Sequence, residues 1–208
     1  MIKDDKTLDR KTLSHKTSRR DVLTIGAGAL ASLSLPRLAA GQELTPTPQC
    51  ADSAVATIRQ TEGPFFTPRS PQLSDLRTGG LSGETVVLTG FVLTRACRPV
   101  ANALVDLWHA DATGDYDNKG FRGRGHQVTD AQGRYRFVTI VPAPYPGRTR
   151  HYHAKVQAAN GPVLTTQLYF PNDPGNARDH LFRRELLMRV ASRGAERDAR
   201  FDFVLSRA

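Results

Sequence analysis

Two tyrosines and two histidines are the residues whose types and spacing suggest metal chemistry. Tyr145, His151 and His153 lie within residues 142–153, and Tyr116 lies upstream of them. Histidines at positions i and i+2 of a β-strand point to the same side, so two imidazoles can bind one metal ion. A phenolate oxygen is a hard, anionic ligand, and ferric iron suits it better than zinc, which Cys, His and carboxylate groups usually hold. The four residues therefore predict a ferric iron site.

Short β-strands would position these side chains, and the sequence predicts them from β-rich runs and alternating apolar and polar residues. Six such segments are separated by turn signals: residues 84–93, 103–109, 133–140, 151–158, 163–170 and 200–205. Residues 176–192 favour a helix, with Leu181, Glu185 and Met188 near one face. Regularly spaced short strands are typical of an all-β sandwich. We expect a single-domain antiparallel β-sandwich with one short helical segment near the C-terminus, and Trp108 in its core.

Length and charge narrow the function classes. A chain of 208 residues is long enough for one substantial core. The net charge is +9, but residues 1–40 carry eight Lys/Arg and four Asp/Glu, which leaves a mild excess of +5 elsewhere. A solvated basic surface accounts for this excess. No basic stripe is interleaved with aromatic residues, so nucleic-acid binding is not expected. His109, His126 and His180 have no partner at ligand spacing and are interpreted as structural.

The N-terminus has the order of features that is typical of an export signal. Residues 18–23 read Ser-Arg-Arg-Asp-Val-Leu, a twin-arginine pattern, and a modest apolar run from Val22 to about Leu35 precedes small residues that suit cleavage. This run is too short and too weakly apolar to span a bilayer. We predict a twin-arginine signal peptide over residues 1–40 and export to the periplasm or the extracellular space, with no membrane attachment after cleavage.

The rest of the chain is predicted to form a lead and one domain. Residues 41–57 are rich in Pro and Thr and are interpreted as a flexible lead, and residues 58–208 as the β-sandwich domain. Cys50 and Cys97 are the two cysteines. An even pair in an exported protein favours a disulfide, which would attach the lead to the domain, although two free thiols are the alternative.

Several motifs occur in the order found in one enzyme family. They are residues 61–66 (Thr-Glu-Gly-Pro-Phe-Phe), 105–116 (Val-Asp-Leu-Trp-His-Ala-Asp-Ala-Thr-Gly-Asp-Tyr), 128–146, 148–153 (Arg-Thr-Arg-His-Tyr-His) and 164–167 (Leu-Thr-Thr-Gln). In these motifs the chain resembles the intradiol ring-cleavage dioxygenases, the family of protocatechuate 3,4-dioxygenase and catechol 1,2-dioxygenase. The turn within residues 128–146 is shared by many β-sandwiches, whereas its combination with Tyr145 and the His-x-His pair is specific.

The resemblance implies a set of roles. One Fe(III) ion would be held by Tyr116, Tyr145, His151 and His153. The positions of Arg148 and Gln167 match family residues that lie over the substrate ring. A catechol-type diol would be cleaved between its hydroxyls with O2 to give a cis,cis-muconate-type product. Tyr145 or Tyr116 would leave the metal and accept a substrate proton, which makes Tyr145 a catalytic residue as well as a ligand.

Two departures from the family pattern concern the substrate. Phe65 and Phe66 occupy a loop where the family commonly has a tyrosine, which removes one hydroxyl from the site. The five residues between Tyr145 and His151 resemble the compact protocatechuate type, because catechol-type members carry a long insertion there. The alternative function is a non-catalytic, prealbumin-like or carbohydrate-binding β-sandwich. The particular catechol and the oligomeric state stay open.

Overall fold

The structure is a computed structural model that describes Leu44 and residues 54–207. In this part of the chain there are nine β-strands and one turn of 3-10 helix, so the predicted all-β class is confirmed. The strands are β1 (Thr85–Thr94), β2 (Leu104–Trp108), β3 (Arg124–Val128), β4 (Arg134–Ile140), β5 (His151–Gln157), β6 (Leu164–Tyr169), β7 (Arg189–Arg193), β8 (Glu196–Arg200) and β9 (Phe203–Leu205).

The strands form two sheets. One has the order β4-β1-β8-β7, with β9 also beside β1, and the other has the order β3-β2-β5-β6. Most pairs are antiparallel as predicted, but β1 pairs in parallel with both β8 and β9, so the first sheet is mixed. The reason is connectivity, because the whole second sheet separates β1 from β8 in the chain and no tight hairpin imposes an antiparallel pair.

An apolar core lies between the sheets and determines which side chains face outward. Leu88 and Phe137 of the first sheet and Leu107 and Tyr152 of the second belong to one buried cluster. Side chains alternate along a strand, so the neighbours of these residues point away from the core. Trp108 follows Leu107 and is buried as expected, but it lies on the outer face of its sheet. The prediction that Trp108 fills the sandwich core was therefore wrong.

The helix predicted over residues 176–192 is not formed. Its helical part is one 3-10 turn over Arg184–Leu186, and β7 begins at Arg189. Tertiary contacts override the helical spacing, because the N–H of Met188 donates to the carbonyl of Tyr169 at 3.0 Å instead of to a carbonyl one helical turn earlier. The short helical segment near the C-terminus thus consists of three residues.

The predictions for the N-terminus fall mostly outside the described residues. The signal peptide over residues 1–40, most of the lead and Cys50 are among the residues that are not described. The end of the lead is described: the N–H of Thr57 donates to the carbonyl of Val204 at 2.9 Å, and Ala54 is buried. Cys97 is disulfide-bonded. Among the described residues, no helix has the length and apolar character needed to cross a membrane.

His109 provides a test of acid stability. Its ring is buried, and burial lowers the pKa of His109 from 6.5 to about 4. Because the folded pKa lies below the unfolded one, this stabilisation is complete above pH 6.5 and is lost as the pH falls toward 4. We expect His109 to account for about 3 kcal/mol of the loss in the free energy of unfolding across this window.

Urea titrations across the same pH window measure this loss. They are made without added iron, on the wild type and on His109→Gln. The variant should show a shallower fall in stability as the pH decreases. Equal slopes in the two proteins would contradict the prediction.

Candidate metal and substrate site

The outer face of the four-stranded sheet brings together side chains from all four of its strands. Cross-strand pairing sets Trp108 of β2 opposite Arg124 of β3 and His153 of β5. His153 is in turn paired with Gln167 of β6. Residues that are directly opposite share a face, so these four side chains form one row across the sheet. The row therefore places His153, a predicted metal ligand, beside Gln167, a predicted substrate-binding residue.

Four possible donor groups meet at one end of this row. The Nε2 atoms of His151 and His153 are 3.1 Å apart, and the hydroxyl of Tyr145 is 3.4 Å from Nε2 of His151. The ring centroid of Tyr116 is 5.7 Å from that of Tyr145 and 6.0 Å from that of His153. The structure thus brings together all four residues that the sequence singled out, although they come from two loops and one strand.

The two imidazoles are neutral, and that of His151 presents a nitrogen lone pair to the site. Nδ1 of His151 is 2.6 Å from the carbonyl of Thr149, and since a carbonyl only accepts, Nδ1 carries the proton and Nε2 is free to bind a metal. Burial, followed by the charge of Arg148, lowers the pKa of His151 to about 4. Burial, followed by His151, holds the pKa of His153 well below its ordinary value. Both rings are therefore neutral at neutral pH, which is the state that binds metals.

The phenol of Tyr116 is a buried polar group that the protein itself does not satisfy. Its hydroxyl has no hydrogen-bond partner among the described residues. Burial, followed by the neighbouring Tyr145, raises the pKa of Tyr116 well above its ordinary value. A buried hydroxyl without a partner costs free energy, so its presence is more readily explained by a bound group than by stability.

This donor set fits a hard cation better than zinc. In the part of the chain that the structure describes, no group of three or more His, Cys, Asp or Glu side chains is arranged to hold a metal. Two phenols and two imidazoles are available instead. A set with two oxygens that can become anionic suits a trivalent ion such as Fe(III), because a cation at this position lowers the pKa of a phenol and makes it a ligand. The residues therefore fit the group that the resemblance implies.

A buried ion pair holds Arg148 over the same site. Nε of Arg148 donates to Oδ2 of Asp179 at 3.0 Å, and Nη1 donates to the hydroxyl of Tyr145 at 3.3 Å. Nη2 donates to Oε1 of Gln167, whose Nε2 donates to the carbonyl of Thr61 at 3.0 Å. The guanidinium is thereby held in one orientation, with its positive charge directed at the phenol of Tyr145.

Asp179 is a site residue that the sequence did not reveal. Its side chain is 1% exposed, and besides Arg148 it accepts the N–H of Thr149 at 3.0 Å and that of Leu181 at 2.9 Å. Burial raises the pKa of Asp179, but the N–H donors outweigh it and keep the pKa below its ordinary value. Asp179 lies in the segment predicted to be helical, and no motif there indicated its role.

Aromatic rings enclose the donors. Phe65 stacks on Tyr116 with ring centroids 4.6 Å apart and planes at 20°. Trp108 stacks on His153 at 4.9 Å and 11°. Gly63 lies so close that an added Cβ would be 3.5 Å from Cε1 of His153. The loop that carries Phe65 therefore forms an apolar wall over two of the candidate ligands, where a tyrosine would have added a hydroxyl.

Comparisons with known proteins agree with this picture. A family model described as "Dioxygenase" matches residues 61–207. One similar solved structure is the dioxygenase domain of a dioxygenase carbohydrate-binding protein fusion from the cellulolytic bacterium Streptomyces sp. SirexAA-E. It is 51% identical to this chain, with a TM-score of 0.72. The match covers 74% of this chain and all of that one. The structure of 3-chlorocatechol 1,2-dioxygenase from Rhodococcus opacus 1CP is 30% identical with a TM-score of 0.66 and covers 73% of each chain.

Curated relatives are similar over a shorter region. The protocatechuate 3,4-dioxygenase beta chain of Burkholderia cepacia is 40% identical over 126 residues, which is 52% of this chain and 54% of that protein. Hydroxyquinol 1,2-dioxygenase of Rhodococcus opacus is 31% identical over 144 residues, which is 57% of this chain and 48% of that protein. The chain thus spans about half the length of these relatives.

Proposed function

Because the chain belongs to the intradiol ring-cleavage dioxygenase family, we propose that it is a non-haem Fe(III) enzyme that cleaves a catechol-type diol. The ring would open between the two hydroxyls with O2, to give a cis,cis-muconate-type product. The observation that carries the proposal is the meeting of Tyr116, Tyr145, His151 and His153 around one point. The alternative of a non-catalytic binding module is not favoured, because the matching family model is described as a dioxygenase and its range, residues 61–207, contains all four residues.

Four atoms of the chain would hold the iron: the two phenolic oxygens and the Nε2 atoms of the two histidines. When bound, Fe(III) supplies Lewis acidity that binds both oxygens of the diol and makes the ring reactive toward O2. The chain would contribute a proton acceptor, because Tyr145 as a phenolate can take a proton from the diol at its oxygen. Nη1 of its neighbour Arg148 donates to that oxygen at 3.3 Å and so fixes its position.

Arg148 and Gln167 would position the substrate and stabilise its charge. The guanidinium of Arg148 cannot turn away, because Asp179 and Gln167 each hold one side of it. A fixed positive charge beside the diol oxygens stabilises negative charge that develops there without reorganisation during the reaction. Gln167 is fully buried and donates to the carbonyl of Thr61, so it acts by holding the guanidinium of Arg148 beside the hydroxyl of Tyr145.

The substrate class is proposed from the wall of the site and from the relatives. Names among the relatives include protocatechuate, hydroxyquinol and 3-chlorocatechol dioxygenases. In this chain Phe65 and Phe66 present no hydroxyl to the ring of a bound diol. An apolar wall favours catechols whose side facing Phe65 lacks a group that needs a hydrogen bond.

We also propose that the protein works outside the cytoplasm. The twin-arginine pattern at Arg19 and Arg20 supports export, and an exported enzyme would act on catechols present outside the cytoplasm. Cell fractionation with an antibody to the protein tests the location. Arg19→Lys with Arg20→Lys should retain it in the cytoplasm, and unchanged export of that double variant would contradict the proposal.

One set of measurements tests the enzymatic proposal. Protein loaded with ferric iron is expected to be red-brown, from phenolate-to-iron charge transfer. Catechol should change this absorption, and oxygen uptake should follow catechol, protocatechuate, hydroxyquinol or a substituted catechol. Product spectra identify ring opening between the hydroxyls. A protein that binds iron without colour, or that consumes no oxygen with any of these diols, would contradict the proposed function.

A further inference from the structure

One segment of the chain crosses the outer face of the four-stranded sheet and covers the site. This segment, residues 60–72, is called the strap. At one end the N–H of Gln60 donates to the carbonyl of Thr165 on β6 at 2.9 Å, and at the other the N–H of His126 on β3 donates to the carbonyl of Pro71 at 2.9 Å. Because the strand order is β3-β2-β5-β6, the strap must pass over β5 and β2 between these ends.

Lys155 contacts the strap near its middle. Lys155 lies on β5 two residues after His153, so the two side chains share the outer face of the sheet. Its Nζ forms an ion pair with Oε2 of Glu62 and lies 4.0 Å from the ring centroid of Phe66. The ammonium thus binds two strap residues, Glu62 through an ion pair and Phe66 through a cation–π contact.

These two contacts flank Phe65, which touches a candidate ligand. Phe65 stacks on Tyr116 at 4.6 Å, and Phe66 packs against Trp108 at 4.9 Å. Trp108 in turn stacks on His153. A displacement of the strap would therefore be transmitted to two of the four donors through ring contacts.

A further contact anchors the strap beside Lys155. Asp106 is the direct cross-strand neighbour of Lys155, and its Oδ1 accepts the hydroxyl of Ser70 at 2.9 Å. The side chain of Lys155 is 22% exposed and that of Glu62 is 42% exposed, so solvent partly screens their ion pair, whereas Asp106 is buried. The strap is thus held by charged groups of two adjacent strands.

We propose that Lys155 is a positioning residue, a latch that holds the strap closed over the candidate metal and substrate site through Glu62 and Phe66. Its effect on catalysis rests on the proposed function, whereas its effect on the strap does not. Loss of the ammonium should let residues 60–66 open more often, while the sandwich beneath stays folded. Tyr116 would then lose the fixed ring that covers it, and the KM for the diol should rise more than kcat falls.

Lys155→Met tests the latch, because it keeps most of the apolar stem and removes the charge. In protein without iron, we expect amide hydrogen exchange in residues 60–66 to accelerate about five- to tenfold, with β1 unchanged. Trp108 is the only tryptophan of the chain, so its quenching by acrylamide should increase about twofold as Phe66 leaves it. Lys155→Arg should restore both values, since guanidinium makes the same two contacts.

Lys119→Met is the matched control, because Lys119 is exposed and the substitution removes the same charge. Its exchange and quenching should equal those of the wild type. Should Lys155→Met fail to fold, Glu62→Gln and Phe66→Leu each remove one contact, and each should accelerate exchange by a smaller factor. Exchange and quenching at wild-type values in Lys155→Met, or in both single-contact variants, would overturn the latch.

The iron-loaded enzyme supplies the second readout. The ratio of KM in Lys155→Met to KM in the wild type should be about five to ten, with kcat changed less than about twofold. Faster exchange in a protein that never shows dioxygenase activity would support the latch and contradict the proposed function. If Lys155→Met exchanges at the wild-type rate and the wild type is an active dioxygenase, the latch is contradicted and the proposed function is supported.

Discussion

Tyr116→Phe is expected to abolish ring cleavage and to bleach the iron-loaded protein, while making the protein without iron more stable. The substitution removes one oxygen and keeps the ring that stacks on Phe65. Without that oxygen one of the four donors is lost, and we expect iron affinity to fall by at least about 100-fold. The hydroxyl has no partner among the described residues, so its removal should raise the free energy of unfolding by about 1 kcal/mol.

Tyr135→Phe is the matched control. Tyr135 is also buried, but its hydroxyl donates to the carbonyl of Phe201 at 2.7 Å, remote from the donor cluster. Its loss should destabilise the protein by about 1–2 kcal/mol and leave iron binding and colour intact. Iron titration followed by absorbance, and urea unfolding without iron, measure the two effects. Undiminished colour in Tyr116→Phe would remove Tyr116 from the ligand set.

Asp179→Asn is expected to reduce kcat/KM by about 100-fold without removing any metal donor. The carboxylate of Asp179 accepts three hydrogen bonds, from Arg148, Thr149 and Leu181. An amide has the same shape but supplies one acceptor oxygen and no charge, so it leaves the buried guanidinium unpaired and brings an N–H₂ group against a donor. We expect a loss of about 2–4 kcal/mol in stability.

The pH dependence and a control distinguish this effect from general damage. The folded pKa of Asp179 is lowered, so its stabilisation is present above about pH 3.8 and is lost as the pH falls through the folded pKa. The stabilities of Asp179→Asn and the wild type should therefore converge in acid. Asp198→Asn removes a more exposed carboxylate that pairs with Arg193, and it should cost less than about 1 kcal/mol with unchanged activity. Full activity in Asp179→Asn would show that Arg148 needs no anchor.

Strands with an alternating or apolar sequence were predictable, and strands held by charged contacts were not. The predicted segments correspond to β1, β2, β4, β5, β6 and β9. The missed hairpin of β7 and β8 is rich in arginine, and its pairing is supported by ion pairs such as those of Arg193 with Glu196 and of Arg197 with Glu84. Such contacts have no period in the sequence. The missed β3 carries Arg124 and His126 on its outer face, where Nε of Arg124 donates to the carbonyl of Asp117 and Nδ1 of His126 contacts the carbonyl of Ser70 in the strap.

The residues of the candidate site likewise include some that were predictable from the sequence and some that were not. The donor types and the common side of His151 and His153 follow from the chemistry of the residues and from strand alternation, which is a local property of extended backbone. The roles of Tyr116, Tyr145, Arg148 and Gln167 were implied by the resemblance to a family. Asp179 could not be found in either way, because it acts through an ion pair across 31 residues of chain.

What the sequence determined by itself was thus a set of ligands and a strand to carry two of them. Tertiary structure alone decided that Trp108, His153 and Gln167 lie in one row, that Asp179 holds Arg148, and that the strap covers the donors. Alternation depends on the geometry of a few consecutive residues. Register, ion pairing and coverage depend on which distant segments exclude water from each other, and that free energy arises only when the two sheets and their loops pack together.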